Sequence, residues 1–497
     1  MGSTLLLEIV TMVCAFILPR LIMVSFGSEY NGIVSSVSQF LSFITLLRGG
    51  IGGVTKAALY KPLLENDVVK ISGIVKATEN FMRKVCYIFI VFLVAFAAIY
   101  PLIIKEEFGW LYTFTLVLIL GISTIAQYYF GITYQFLTQA DQKQYIYNVL
   151  QIGATIVNTA LSVVLIRAGL EFRLVKLSTA LVFGAIPVLL YFYVHRHYTI
   201  LKDIPPDTSA INQRWDAFAH QVAAFIHSNT DLVILTVFSD LFQVAIYTVY
   251  FMVTNGIKKF VNICSSGIES AIGNLLARKN QDKLSQGIDM YEWLINVVST
   301  SFFTCTAVLI VPFVMVYTRG VTDTDYYQPL LGYLMCIAQF MACVRLPYQN
   351  AVEGAGRFKD TRNGAIAEAA INLITTIPLV IYMGCAGAVI GTIAATGFRT
   401  VQYAFYASKN IIHRPFGQYI KRMMVSALNI AIVMVPYFVF GVDRRLLIIS
   451  SYLQWLVYAV AAFALIVLIT VIVNWIFYSK TTIMFFKYAL GRSVRKR

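Results

Sequence analysis

Charge is scarce in this chain. Only 13% of its 497 residues are Asp, Glu, Lys or Arg, about half the share of an ordinary soluble domain. A soluble catalytic domain would need a wetted surface that this composition does not supply. Histidine is down to five and cysteine to seven. The cysteines, at 14, 86, 264, 305, 336, 343 and 385, form no CxxC pair, so neither a disulfide framework nor a cysteine metal site is expected. The nearest approach to a ligand pair, "HRH" at 195–197, reads better as the basic end of a loop. Long loops are missing as well. The outer connections near 167–176, 318–328 and 441–452 are about ten residues each, too short for the catalytic loop of a membrane-embedded polymerase or glycosyltransferase. No basic stretch precedes the first apolar run and no small-residue cleavage site follows it, so no signal peptide is expected.

Apolar residues fill the space: 59% of the chain is hydrophobic. Uncharged windows recur at Val85–Ile104, Trp110–Ala140, Gln144–Ile166, Trp293–Thr318, Met423–Val442 and Leu446–Ser479. Each matches or exceeds the ~20 residues that a helix needs to cross a bilayer core. A barrel would show short alternating segments instead. The expected class is therefore an all-α integral membrane protein, with about fourteen spans centred near residues 16, 43, 95, 123, 155, 184, 228, 258, 305, 340, 374, 397, 432 and 464. With both termini placed in the cytoplasm, the inner connections and tail hold 26 Lys and Arg against seven outside. That excess sets the orientation. It also accounts for most of the +15 net charge through topology and anionic lipid heads, without nucleic acid.

A faint direct repeat crosses the polar break "LKDIPPDTSAINQRW" at 201–215. Ser28–Glu29 meets Ser239–Asp240 at a shift of 211; Asn66, Gly73, Tyr134–Gln135, Lys143 and Asn158 meet Asn280, Gly287, Tyr348–Gln349, Arg357 and Asn372 at 214. The expected organisation is a six-helix lobe (1–200), a linker (201–215), a second six-helix lobe (216–410), and two further helices with a basic tail (411–497). Two parallel lobes imply a pseudo-two-fold along the membrane normal, the design by which transporters rock around a shared site.

Charges within the spans point to that site. Six are basic (Arg20, Arg48, Lys258, Lys259, Arg345 and Arg399) and three acidic (Asp231, Glu269 and Glu368). A central Arg or Lys costs roughly 2.5–3.5 kcal/mol on the lenient insertion scale and so normally faces a bundle interior or a wet cavity. Internal pairing leaves three positive charges over, which makes an anionic cargo the economical expectation. Bland alternatives stand beside it. Arg20 can snorkel or pair with Asp231, Glu269 can meet cytoplasmic water, and Lys258 and Lys259, 100° apart, cannot both face one cavity. At a shift of 211 Arg48 overlies Lys259, and Lys258 would serve equally. Gly49, Gly50, Gly52 and Gly53 follow Arg48 and offer either close packing or a bending point. His220, His227 and Asp231, spaced by seven and four, share a helix face. Asp231, His227 and Glu368 are the candidates for carrying a coupling proton or sodium ion.

Two stretches, "LPRLIMVSFGSEYNGIVSSVSQFLSFITLLRGGI" (18–51) and "PYQNAVEGAGRFKDTRNGAIAEAAINLITTIPLVIYMGCAGAVIGTIAATGFR" (347–399), resemble the polysaccharide-exporting branch of the multidrug/oligosaccharidyl-lipid/polysaccharide superfamily, the O-antigen and capsular repeat-unit flippases. The likeness extends over the whole chain in length and span pattern; the usual basic stretch before the first span is absent here. It implies two lobes around a cationic central cavity in a bacterial inner membrane, with no enzymatic activity and no cofactor. The cargo it implies is a polyprenyl-pyrophosphate-linked oligosaccharide carried to the outer leaflet, with a polysaccharide polymerase and other assembly proteins as partners. A lipid II flippase and a multidrug exporter are the alternatives on the same scaffold; a cationic-drug exporter should line its cavity with acid.

Overall fold

The computed structural model describes residues 2–48, 51–104, 108–201, 203–208, 229–277, 281–355 and 357–489. Among these residues every regular element is helical, as expected where backbone groups must satisfy one another without water. The chain divides by packing into two compact units, Met1–Ala245 and Ile246–Arg497.

The first unit holds α1 (Gly2–Phe26), α2 (Ser28–Leu41), α3 (Ile44–Arg48), α4 (Ile51–Glu65), α5 (Val68–Ile103), α6 (Trp110–Ala126), a π-turn (Gln127–Gly131), α7 (Ile132–Ala140), α8 (Gln144–Arg167), α9 (Phe172–His197) and α10 (Asn229–Phe238). Gly27 separates α1 from α2 with φ 108°, a conformation that excludes most side chains. Asp67 caps α5, and the backbone N–H of Lys70 that it accepts at 3.0 Å holds its carboxyl below the usual carboxylate range. Residues 229–241 pack onto α2. Gln39 Nε2 donates to the Asn229 carbonyl at 3.1 Å, and Ser36 Oγ joins Thr236 Oγ1 (2.8 Å) and Tyr100 Oη (2.7 Å). A Cβ on Gly32 would strike the Leu241 carbonyl.

The second unit follows α11 (Leu241–Ala277) with α12 (Gln281–Tyr317), α13 (Pro329–Val344), α14 (Leu346–Gly354), α15 (Phe358–Met383), α16 (Cys385–Ala407), a second π-turn (Ser408–Ile412), α17 (Gly417–Val439), α18 (Val442–Leu446) and α19 (Tyr452–Ala489). Helices α15 and α16 form a tight hairpin about Gly384. Gly387 lies against the backbone of Leu379, and Gly391 lies against Thr376, the small-residue spacing that lets membrane helices approach closely.

Ten helices among the described residues are long and apolar enough to cross a membrane, or eleven when Ser28–Leu46 and Ile51–Glu65, bent by 49°, count as one. The protein is thus an all-α multi-pass membrane protein. The number fourteen was expected; α11 and α16, at 37 and 23 residues, have the length but are not among the ten because of their polar content. Apart from residue 43, in the break between α2 and α3, and residue 228, outside the described residues, each expected centre lies inside a helix. Helix boundaries also recur along the chain. Val68 and Gln281, Gln144 and Phe358, and Phe172 and Cys385 start helices 213 or 214 positions apart, and Ala140 and Gly354 end them 214 apart.

Candidate functional site

Pro347 decides where the third long helix of the second unit breaks. It has no N–H to continue the ladder, so α13 stops at Val344, and the Arg345 carbonyl becomes the first acceptor of α14, taking the N–H groups of Tyr348 (3.1 Å) and Gln349 (3.0 Å). Arg345 keeps right-handed helical dihedrals at this one-residue break, so that Pro329–Gly354 runs on as a single 26-residue span.

Three more charged side chains gather there. Arg345 Nη1 donates to Glu368 Oε1 at 2.8 Å, and the other carboxylate oxygen lies 3.5 Å from Arg399 Nε. Arg399 is saturated by its surroundings. It donates to the Thr361 carbonyl (2.7 Å), Gln402 Oε1 (2.5 Å) and Tyr403 Oη (2.8 Å), with its guanidinium 4.1 Å from the Tyr403 ring centroid. Lys258 of α11, half-buried, is near enough to Arg345 to feel its charge. Two guanidiniums thus share one carboxylate, with the Lys258 ammonium near Arg345. Glu368 and the neutral acceptors account for Arg399. Lys258 has no hydrogen-bond or ion-pair partner among the described residues, and the buried Nε of Arg345 has no acceptor there either. A buried guanidinium donor without an acceptor is costly; an anion would satisfy the Arg345 Nε, and half-buried Lys258 adds a second positive charge beside it.

The expected site residues therefore separate. Lys258, Arg345, Glu368 and Arg399 come together in the second unit, while Lys259 turns to the exposed side of α11, as the 100° step between neighbours requires. Glu368, read from sequence as a coupling candidate, bridges two guanidiniums. In the first unit Arg20 on α1 and Asp231 on α10 are both half-buried. Gly49, Gly50, His220, His227 and the side chains of Arg48 and Glu269 lie outside the described residues. Gly52 and Gly53 behave differently: a Cβ on Gly52 would come within 2.8 Å of the Phe136 ring, whereas one on Gly53 would meet nothing within 4 Å.

A second ionic cluster was not anticipated. Glu292, fully buried on α12, pairs with Arg414 and, at 3.2 Å, with Arg422 of α17; Arg422 also bonds Asp289, which accepts from Thr481 of α19 at 3.2 Å. Its charges balance, and it joins α17 and α19 to α12. The spacing of Asp289 and Glu292, three residues apart on one helix face, was the only sign of it in the sequence.

No family model matches the chain, and no curated protein matches it. Solved structures do. The lipid II flippase MurJ, in an inward closed conformation, superposes with a TM-score of 0.71 over 96% of this chain and 98% of its own, at 14% identity. An inward-facing multidrug resistance MATE family transporter of the MOP superfamily gives 0.60 over 82% and 94%, at 13% identity. The eukaryotic MATE transporter AtDTX14 gives 0.53 over 86% and 97%, at 12%. The fold is that of these transporters. At such identities the likeness is one of architecture and carries no residue roles.

Proposed function

We propose that the protein is a flippase that moves a saccharide linked through pyrophosphate to a polyprenyl lipid across a bacterial inner membrane by alternating access. The observation that supports this reading is the membrane-embedded group Lys258–Arg345–Glu368–Arg399, which carries three cations and one carboxylate, the carboxylate bonding the two guanidiniums while the buried Arg345 Nε has no acceptor among the described residues. A diphosphate, with several acceptor oxygens and at least two negative charges, suits such donors well. Arg20 and Arg48 of the first unit are further candidates for binding an anion. The recurrence of helix boundaries at 213 to 214 residues supports two repeated six-helix lobes followed by α17 to α19, with both termini cytoplasmic. Asp231 and His227 are the proposed carriers of a coupling proton or sodium ion.

Two cargoes present this same chemistry. The fold likeness to a lipid II flippase favours lipid II; the polysaccharide repeat unit is supported by the sequence resemblance. The fold likeness to MATE transporters also raises multidrug export, and the uncompensated cations count against cationic drugs. The deciding experiment is flipping of purified fluorescent lipid II and of a polyprenyl-pyrophosphate oligosaccharide in proteoliposomes. Movement of either, lost in Arg345→Gln, supports the proposal; movement of neither, under proton and sodium gradients, removes it.

A further inference from the structure

The fourth long helix of the first unit is interrupted too, at the corresponding place: Gly131 ends its π-turn, 214 residues before Arg345. Here the interruption brings amides rather than a cation. Ser123, Gln127, Gly131 and Gln135 are spaced by four, and in a straight α-helix each step of four would swing about 40° around the axis. The π-turn, in which the Ile132 N–H bonds the Gln127 carbonyl five residues back, widens one turn and offsets much of that drift. The row therefore stays on one face, where it lines a cavity of about 190 Å³ with Gln151 and Tyr147 of α8 and Phe183 and Pro187 of α9. Gly131 is required there, since a Cβ would lie 2.5 Å from Pro187 Cβ.

The lining contains three primary amides, two hydroxyls and an aromatic face, and no charged side chain. Gln127, Gln135 and Gln151 are half-buried, and Gln135 Oε1, fully shielded, has no hydrogen-bond partner among the described residues. A buried amide oxygen is rarely left so. An inert apolar occupant would leave it unpaired, and an ion would find no countercharge. Groups that both donate and accept, arranged beside an aromatic ring, suit a ring-shaped polyol. A cavity of about 150 Å³ accepts one benzene ring, so this one has room for a single six-membered ring with its hydroxyls.

We propose that this cavity is a saccharide subsite that holds one uncharged pyranose of the cargo. The inference rests on the glycan reading above but concerns a different unit and a different chemistry. The test is saturation-transfer NMR on the full-length protein in lipid nanodiscs, with glucose, galactose, mannose, N-acetylglucosamine and N-acetylgalactosamine as probes. Inorganic pyrophosphate binding is measured on the same samples. At least one sugar should receive saturation, and Gln127→Met/Gln135→Met should weaken its binding by about tenfold or more, the loss expected for one or two hydrogen bonds. Gln151→Met, on a different helix, should do the same while the thermal midpoint and pyrophosphate affinity stay unchanged. Saturation of no sugar, or equal saturation of wild type and both variants, overturns the subsite and means that the cavity holds water alone. Sugar binding that depends on the glutamines without any pyrophosphate binding would leave the subsite standing and remove the proposed function.

Discussion

Replacing Glu368 with Gln tests how the second unit manages its charge. The carboxylate is 6% exposed and serves Arg345 at 2.8 Å and Arg399 at 3.5 Å. At an effective dielectric of about 20, each contact is worth roughly 5 kcal/mol of Coulomb energy before desolvation. Removing one member of a buried pair typically costs about 3–5 kcal/mol, because the remaining charge stays buried. Arg399, 4% exposed, has no water to turn to, so Glu368→Gln should lower stability by an amount in that range. The double variant Glu368→Gln/Arg399→Met removes the stranded charge together with its partner and should recover most of the loss. Thermal unfolding in detergent, followed by tryptophan fluorescence, reads both. If the single variant melts with wild type, or the double variant is worse than the single, the ion pair does not hold Arg399 and the account of this site fails.

The balanced cluster at α12 makes a parallel prediction. Glu292→Gln should destabilise by about 3 kcal/mol or more, since it leaves Arg414 and Arg422 sharing only Asp289; limited proteolysis should then release α17 to α19 before the rest. Gly391→Val should cost about 1–3 kcal/mol by overpacking against Thr376, measured by the same melting assay. Gly52→Ala should destabilise through the Phe136 contact, while Gly53→Ala, in open space within α4, should stabilise by roughly 0.5–1 kcal/mol. Equal melting of the two would deny any packing difference between these glycines.

Much of the architecture was legible because bilayer helices announce themselves by length and apolarity. The irregular points were harder. Neither the break at Arg345 nor the π-turn at Gln127–Gly131 was expected; the latter is a change of hydrogen-bond register that leaves almost no mark on composition. The charged residues Lys258, Arg345, Glu368 and Arg399 stood out from their cost in lipid. Their pairing did not, because Glu368 meets partners 23 and 31 positions away across different helices. Glu292 escaped notice for a related reason. A carboxylate just before an apolar run looks like a solvated span end until helices from 120 residues later cover it.

The most direct measurement is the affinity of inorganic pyrophosphate for the purified protein by calorimetry. Lys258→Gln and Arg345→Gln should each weaken binding by tenfold or more, the usual consequence of losing a charge-assisted contact worth about 1.5–3 kcal/mol, while Lys259→Gln, exposed and turned 100° from Lys258 on the same helix, should bind as wild type does. Identical affinities across all four proteins, or no binding by any, would contradict the claim that these cations receive a diphosphate.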